Sequence, residues 1–271
     1  MKKLGASIVV ISPNPDENLK MIMASLKKQV YSGKKEIIII SQKKGLAENM
    51  NDGIKKAKNE IVITLHGDCI PSDKYWLNNL VEPFKDKDVV ATVSKVQMPE
   101  DFWERMNSFE KALSVKERGT ITPLLDEKGC AYRATVMKRV GYFEENLFKT
   151  AGEDFDIYIK LSKIGKVEYP DATVIHRDFI SLNRRIKKTY RNAEGFGTLV
   201  RIYGRKMPGW YLGFLKAIPL VGLGLLVPSY PILREMRYYP HYLAMLPVMH
   251  VAFMYGFWKG FFTKKQRAII V

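Results

Sequence analysis

Ile61-Val62-Ile63-Thr64-Leu65-His66-Gly67-Asp68 is the stretch that decides the fold. Its unbroken apolar and β-branched run predicts a strand buried on both faces, because a strand with one wet face would alternate. Upstream, Ser7-Ile8-Val9-Val10-Ile11 and Ile37-Ile38-Ile39-Ile40 read the same way, as two more buried strands. Between them, residues 16–29 carry Leu19, Ile22, Met23 and Leu26 at helical spacing. Gly45 to Lys58 reads as a loop and then a helix with Met50, Ile54 and Ala57 on one face. Strand and helix in alternation predict an α/β layer with a mostly parallel central sheet flanked by helices. Ligands of such sheets bind outside the carboxyl ends of the strands. Ser12-Pro13-Asn14, Ser41-Gln42 and His66-Gly67-Asp68 fall at those ends.

Downstream, Val89–Val93 reads as a strand, residues 101–118 as a helix, and Gly129 to Val140 as a loop entering a strand or helix. Ala151-Gly152-Glu153-Asp154-Phe155-Asp156 opens an amphipathic helix with two adjacent carboxylates. Free N–H groups and the positive dipole end favour acidic residues there, so Glu153 and Asp154 have a purely structural reading beside a catalytic one. Ala172-Thr173-Val174-Ile175 is a late strand ending at His176. Asp68 and His176 are thus two metal-ligand types at strand ends, although His176 could equally be a strand-end histidine bonded to backbone.

The 271 residues allow one or two domains, and 46% hydrophobic residues describe a folded chain. A net charge of +16 calls for acidic partners: nucleic acid, anionic lipid or phosphorylated small molecules. No helix-turn-helix, zinc-finger or RNP-type pattern is present, and aromatics do not interleave with the basic cluster, so nucleic acid is excluded. Cys69 and Cys130 lie far apart in no metal-binding pattern and read as thiols in a reducing compartment. The apolar run after Lys2 and Lys3 is too short for a signal peptide and lacks a cleavage site, so it reads as the first strand of a cytoplasmic domain.

From Asn183 the composition changes. A basic segment over 184–206 is followed by two apolar runs, Ala217 to Leu233 and Tyr238 to Phe262, and then by Lys264-Lys265-Gln266-Arg267. A span needs roughly 20 apolar residues, with about 17 as the lower end. The first run is at that lower end and the second is long enough. Basic flanks on both sides would keep the flanks of a hairpin cytoplasmic. Five prolines within or beside the runs and the histidines at 241 and 250 keep a soluble helical subdomain open, and interfacial helices are a third option. The division expected is residues 1–205 for the α/β domain and 206–271 for a membrane-associated or spanning hairpin, with 184–206 against anionic lipid at roughly 1 kcal/mol per Lys or Arg.

With these residues in hand, the chain resembles the family-2 glycosyltransferases over about residues 5–200. The opening strand and turn of that family look like Ser7 to Asn14, and its Gly…Asn-x-Gly helix like Gly45 to Gly53. Its Asp-x-Asp metal motif falls on His66-Gly67-Asp68, and its acceptor-side stretch on Gly129-Cys130-Ala131-Tyr132-Arg133 with Val140 to Glu145. Its Glu-Asp motif is Glu153-Asp154, and its late strand ending in His is Ala172 to His176. The resemblance implies a GT-A fold and inverting transfer from a nucleotide-diphospho-sugar to a hydroxyl or phosphate of a lipid-linked or polysaccharide acceptor. It implies Mn²⁺ or Mg²⁺ held by Asp68 and His176, with His66 as a third ligand, a hydrogen-bond donor behind the ligands or a spacer, and with Asp154 as general base and Glu153 beside it. It implies donor contacts from Ser12, Pro13, Asn14, Gln42, Gly45, Asn51, Gly67 and Asp68, and acceptor contacts from Gly129, Cys130 and Arg133. Asp156 reads as structural.

Four departures stand out: the Arg184–Arg191 cluster stands in for the family's basic motif after the His, and three more lie upstream. His66 replaces the first Asp of the metal motif, Ser41-Gln42-Lys43-Lys44 replaces the acidic residues that hold the nucleobase, and Met50 replaces an Arg before the helix Asn. Together they leave open an inactive membrane subunit that binds nucleotide sugar or partner proteins. A nucleotidylyltransferase is disfavoured, because Ser12-Pro13-Asn14-Pro15 is no Gly-rich phosphate loop. The location expected is the cell membrane, with the catalytic domain on the cytoplasmic side.

Overall fold

Ile8 and Val10 point to one side of the first strand and Val9 and Ile11 to the other, and all four are buried. That is the packing an unbroken apolar strand requires. The computed structural model describes residues 3–12, 17–41, 44–126, 128–148, 151–230 and 235–263. The chain runs through Ala6–Ile11 (β1), Glu17–Lys27 (α1), Lys35–Ile40 (β2), Leu46–Lys56 (α2), Ile61–His66 (β3), Cys69–Pro71 (β4) and Trp76–Val81 (α3). Val89–Val93 (β5), Lys95–Gln97 (β6), Glu100–Arg105 (α4), Ser108–Ser114 (α5), Thr120–Ile121 (β7), Cys130–Arg133 (β8) and Ala134–Arg139 (α6) follow. Glu153–Ser162 (α7), Lys166–Glu168 (β9), Thr173–His176 (β10), Leu182–Tyr203 (α8), Trp210–Lys216 (α9), Val221–Leu226 (α10) and Tyr239–Phe262 (α11) complete it.

The central sheet has the order β2-β1-β3-β8-β5-β9. β1 pairs in parallel with β2 and β3, and β5 with β9, while β8 runs antiparallel between β3 and β5. Ile8 and Val10 meet Ile22 and Leu26 of α1 and Trp76 and Leu80 of α3. Val9 and Ile11 meet Met50 and Ile54 of α2 and Ile157 of α7. The expected α/β layer is therefore present, with helices on both faces.

Three local expectations change. β2 is not a buried strand: it is the sheet edge, and Ile39 is 45% exposed. The helix expected over 101–118 breaks at Asn107, whose side chain accepts from the Phe109 and Glu110 amides while Glu110 accepts from the Asn107 amide. That capping box starts a new helix. A second sheet, β4-β10-β6-β7, is built from strands of two to four residues, too short to leave a periodic signature.

The C-terminal helices pack onto this layer through α8. Leu147, Phe148 and Ile159 share an apolar core with Ala193, Leu199 and Phe257. α8 and α11 lie parallel and close, since a Cβ on Gly256 would meet the Tyr190 carbonyl oxygen at 2.2 Å and one on Gly260 the Glu194 carbonyl oxygen at 1.9 Å. Gly256 and Gly260, four residues apart, face Ala193 and Gly197 at the same spacing, so small residues on both helices let the backbones touch. Among the described residues no single helix is long and apolar enough to cross a membrane. The bend falls at the head of the first apolar run, where α9, which precedes it, and the segment Val221–Ser229 meet at 116°. Lys264 to Arg267 lie outside the described residues.

Gly260→Ala should therefore lower stability by about 1–3 kcal/mol, as overpacking does. Gly224→Ala, with nothing within 4 Å of the added carbon, should be neutral or stabilising by up to about 1 kcal/mol. Chemical denaturation of both variants reads the difference, and equal midpoints would refute the close α8–α11 contact.

Candidate active site

β3 ends at His66, beside the carboxyl end of β1, and the Gly67 amide donates to the Ile11 carbonyl (2.8 Å). The chain then turns into β4, which leaves the central sheet and pairs antiparallel with β10. That pairing sets Cys69 opposite His176 and brings His176 Nε2 to 3.5 Å from Asp68 Oδ2. The Arg177 amide donates to the Asp68 carbonyl (2.7 Å) and the Cys69 thiol to Asp68 Oδ1 (3.3 Å). One donor atom each from Asp68, Cys69 and His176 lies within 4.8 Å of the others. Burial raises the Asp68 carboxyl, but the hydrogen bond and charge of His176 outweigh it and hold the group below the usual carboxylate range. An ionised carboxylate and an imidazole at this spacing are a fitting donor pair for a divalent cation. His66 is outside this cluster. Burial pushes its imidazole down to about 4, and its buried Nε2 has no hydrogen-bond partner among the described residues.

The facing wall is the start of α7. Gly152 adopts φ 108°, a left-handed conformation that turns the chain into the helix and that a side chain would strain. A Cβ on Gly195 of α8 would meet the Ala151 carbonyl oxygen at 2.2 Å, so this turn sits directly on the α8 backbone. Glu153 is 5% exposed and its Oε2 has no hydrogen-bond partner among the described residues. Burial, with the Asp154 charge adding, lifts its carboxyl from an ordinary 4.5 to about 7. Asp154 is also raised, by burial first and in part by the charge of Asp126, against a hydrogen bond from the Phe155 amide (2.7 Å). Asp156 is structural, as expected: it accepts from the Tyr203 hydroxyl (2.5 Å) and pairs with Lys160 (2.6 Å), tying α7 to α8.

The third wall is basic. Arg184 pairs with Asp178 (2.8 Å), Arg185 with Glu117 (2.5 Å) and Lys128 with Asp126 (2.5 Å). Lys188 and Arg191 have no carboxylate within ion-pairing distance among the described residues. Burial lowers the Lys188 ammonium, and the neighbouring Lys128 and Arg185 charges lower it further. An anion bound there would relieve both costs. The three walls enclose a cavity of about 520 Å³ lined by His66, Asp68, His176, Glu153, Asp154 and the basic residues.

The structure thus brings together five of the residues singled out in the sequence: His66, Asp68, Glu153, Asp154 and His176. Others are elsewhere. Arg133 does not face the cavity: it lies opposite Ile61, at the far end of β3, and its guanidinium donates to the carbonyls of Phe84, Asp86 and Val89. Cys130 is fully buried within β8, and Gly129 is a turn residue whose amide donates to Thr64. Asn51 is also buried; it exchanges hydrogen bonds with the Phe143 backbone and donates to Glu145, holding α2 to that loop. Ser12, Gly45 and Gly67 flank the cavity without lining it. Pro13, Asn14, Gln42 and Lys43 lie outside the described residues. Cys69, Glu117, Asp126 and Lys128 were not singled out as site residues, and four residues of the basic segment read for lipid line the cavity instead. Lys128 is one residue from the expected acceptor stretch, but Gly129, Cys130 and Arg133 do not line the cavity.

On this doubly covered α/β sheet, the Asp68–His176 pair at strand ends, the acidic start of α7 and the cationic wall share one cavity. Residues 6–142, just over half of the chain, match the sequence model of glycosyl transferase family 2, and the chain belongs to that family. No curated protein matches the chain. Among solved structures it is similar to the mannosyltransferase PcManGT from Pyrobaculum calidifontis, in complex with GDP-Man and Mn²⁺. That similarity has a TM-score of 0.62 and 14% identity, and covers 95% of this chain and 88% of that one. It is also similar to GalNAc-T7 with UDP, GalNAc and Mn²⁺ (TM-score 0.56, 15% identity), over 90% of this chain and 56% of that one. The fold is GT-A, and the chain is a glycosyltransferase.

Because the folded state raises the Glu153 carboxyl, it binds that proton more tightly than the unfolded chain. Its stability contribution is complete below pH 4.5 and is lost as pH rises to about 7. Glu153→Gln should therefore stabilise the protein by roughly 3–4 kcal/mol above pH 7 and much less near pH 4.5, at about 1.4 kcal/mol per pKa unit. Denaturation at several pH values checks this, and a pH-independent difference would refute it.

Proposed function

We propose that this chain transfers a sugar, with inversion, from a nucleotide-diphospho-sugar to a hydroxyl or phosphate oxygen of a lipid-linked or glycan acceptor at the cytoplasmic side of the membrane. The observation that carries the reading is that Asp154 lines the same cavity as the Asp68–His176 pair. Mn²⁺ in both solved relatives, with GDP-Man in one and UDP in the other, supports a divalent cation and a nucleotide donor. Asp68 and His176 would hold the cation, with Cys69 next to them. When bound, it supplies Lewis-acid stabilisation to the charge that grows on the leaving diphosphate.

The chain's own residues do the rest. A carboxylate raised above its ordinary range is a stronger base, and Asp154 takes the proton of the acceptor oxygen as that oxygen bonds to the anomeric carbon. The bond from that carbon to the donor phosphate breaks at the same time, and the nucleoside diphosphate departs. Lys188 and Arg191 offer phosphate oxygens two positive charges that protein carboxylates have left free among the described residues. Neutral His66 offers a ring nitrogen to the donor near the metal site.

Asp154→Asn should lower transfer by about 10²–10⁴-fold, the range of general-base assistance, with the donor-induced thermal shift in Mn²⁺ unchanged. Loss of the shift together with turnover would assign Asp154 to donor binding and overturn its role.

A further inference from the structure

Among the described residues the most exposed large apolar side chain is Leu220, at 81%, and its backbone is strained, with φ 64° in a residue that is not glycine. It forms the elbow between α9 and α10. Around it Tyr211, Leu212, Leu215, Ile218 and Val221 are also exposed. Water disfavours such a cluster, and strain that holds a leucine outward calls for an apolar surrounding that repays it.

A second apolar surface adjoins the elbow. α11 is apolar on all sides, and only one of those sides is taken up by α8. Its other face exposes Val248, Val251, Tyr255 and Phe262 at helical spacing, with Tyr255 at 74%. The two surfaces form one unit. Trp258 donates to the Ala217 carbonyl (2.9 Å), His250 to the Lys216 carbonyl (3.0 Å) and Tyr242 to the Leu226 carbonyl (2.7 Å), so α11 grips both limbs of the elbow.

Charge selects the occupant. From Gly195 to Val271 the one acidic residue is Glu235, against ten Lys and Arg. Glu235 is itself paired with Arg118 and Arg237. Exposed Arg205 and Lys206 stand just before α9. An apolar surface rimmed by unopposed cations matches an anionic lipid leaflet. Crossing the bilayer is a different matter. The elbow turns the chain back through 116°. The C-terminal half of α11 is fastened along α8, whose Arg184, Arg185, Lys188 and Arg191 line the polar cavity and would be drawn toward hydrocarbon with it.

We propose that the α9–α10 elbow and the outer face of α11 dock this protein into one leaflet of an anionic bilayer without crossing it. The inference goes beyond the reading of the active site and stands independently of it, since neither surface contributes to the cavity.

Co-sedimentation tests it, with vesicles of phosphatidylcholine alone or mixed with phosphatidylglycerol. The full chain should pellet with the mixed vesicles and less with the neutral ones, and added salt should weaken the former. Leu220→Asp with Val221→Asp should reduce partitioning by about tenfold or more, and so should Val251→Asp with Tyr255→Asp. Leu220→Gly keeps the backbone angle and removes the side chain, so it should hold or raise the melting temperature while binding falls. The same melting temperature in the Asp variants excludes misfolding as the cause. An environment-sensitive dye on Leu220→Cys, selective because Cys69 and Cys130 are buried, should be reduced by dithionite added outside the vesicles. Three results would overturn the proposal: wild-type protein that stays off anionic vesicles, a dye protected from outside dithionite, or a dimer in vesicle-free solution that Leu220→Asp dissociates while vesicle binding persists.

Discussion

The antiparallel pairing of β4 with β10 is the constraint on which the site depends. β3 ends at His66, and three residues later the chain has left the central sheet and joined the second one. Only in the register that sets Cys69 opposite His176 do Asp68 and His176, more than a hundred positions apart, become neighbours at 3.5 Å. A one-residue slip would turn every side chain of β10 to the other face. The hydrogen bond from the Arg177 amide to the Asp68 carbonyl continues the pairing past the last strand residue.

α8 is the second support. On one side it carries Arg184, Arg185, Lys188 and Arg191 into the cavity. On another, Gly195 lets the Ala151–Gly152 turn rest on its backbone, which fixes where Glu153 and Asp154 begin α7. On a third, Ala193 and Gly197 receive α11. One helix therefore links the acidic start of α7, the basic wall of the cavity and the apolar C-terminal surface.

The layer and much of the site were legible in the sequence for physical reasons. Long unbroken apolar runs fixed β1 and β3, and an acidic pair after a glycine marked the start of α7. His66, Asp68 and His176 stood at strand ends, where such sheets bind ligands. What was hidden depended on tertiary pairing. β4, β6 and β7 are too short for periodicity, so nothing local announced that Cys69 would come beside His176. β2 looked buried by composition, and only its place at the edge exposes Ile39. Asn51 and Arg133 carry polar groups that suit a ligand, yet both are consumed by backbone groups of neighbouring loops. The basic run after Asn183 was visible as charge, but helical geometry decides that Lys188 and Arg191 turn inward while Arg205 and Lys206 remain outside.

The most direct measurement is a Mn²⁺ titration followed by electron paramagnetic resonance, with a nucleoside diphosphate present, on wild-type protein and His176→Ala. If β4 and β10 build one cation site from Asp68 and His176, wild type should bind a single Mn²⁺ per chain, and loss of the imidazole should weaken binding by about tenfold or more. Equal Mn²⁺ affinity in the two proteins would contradict the account, because the strand pairing would then have brought the two residues together without making a metal site.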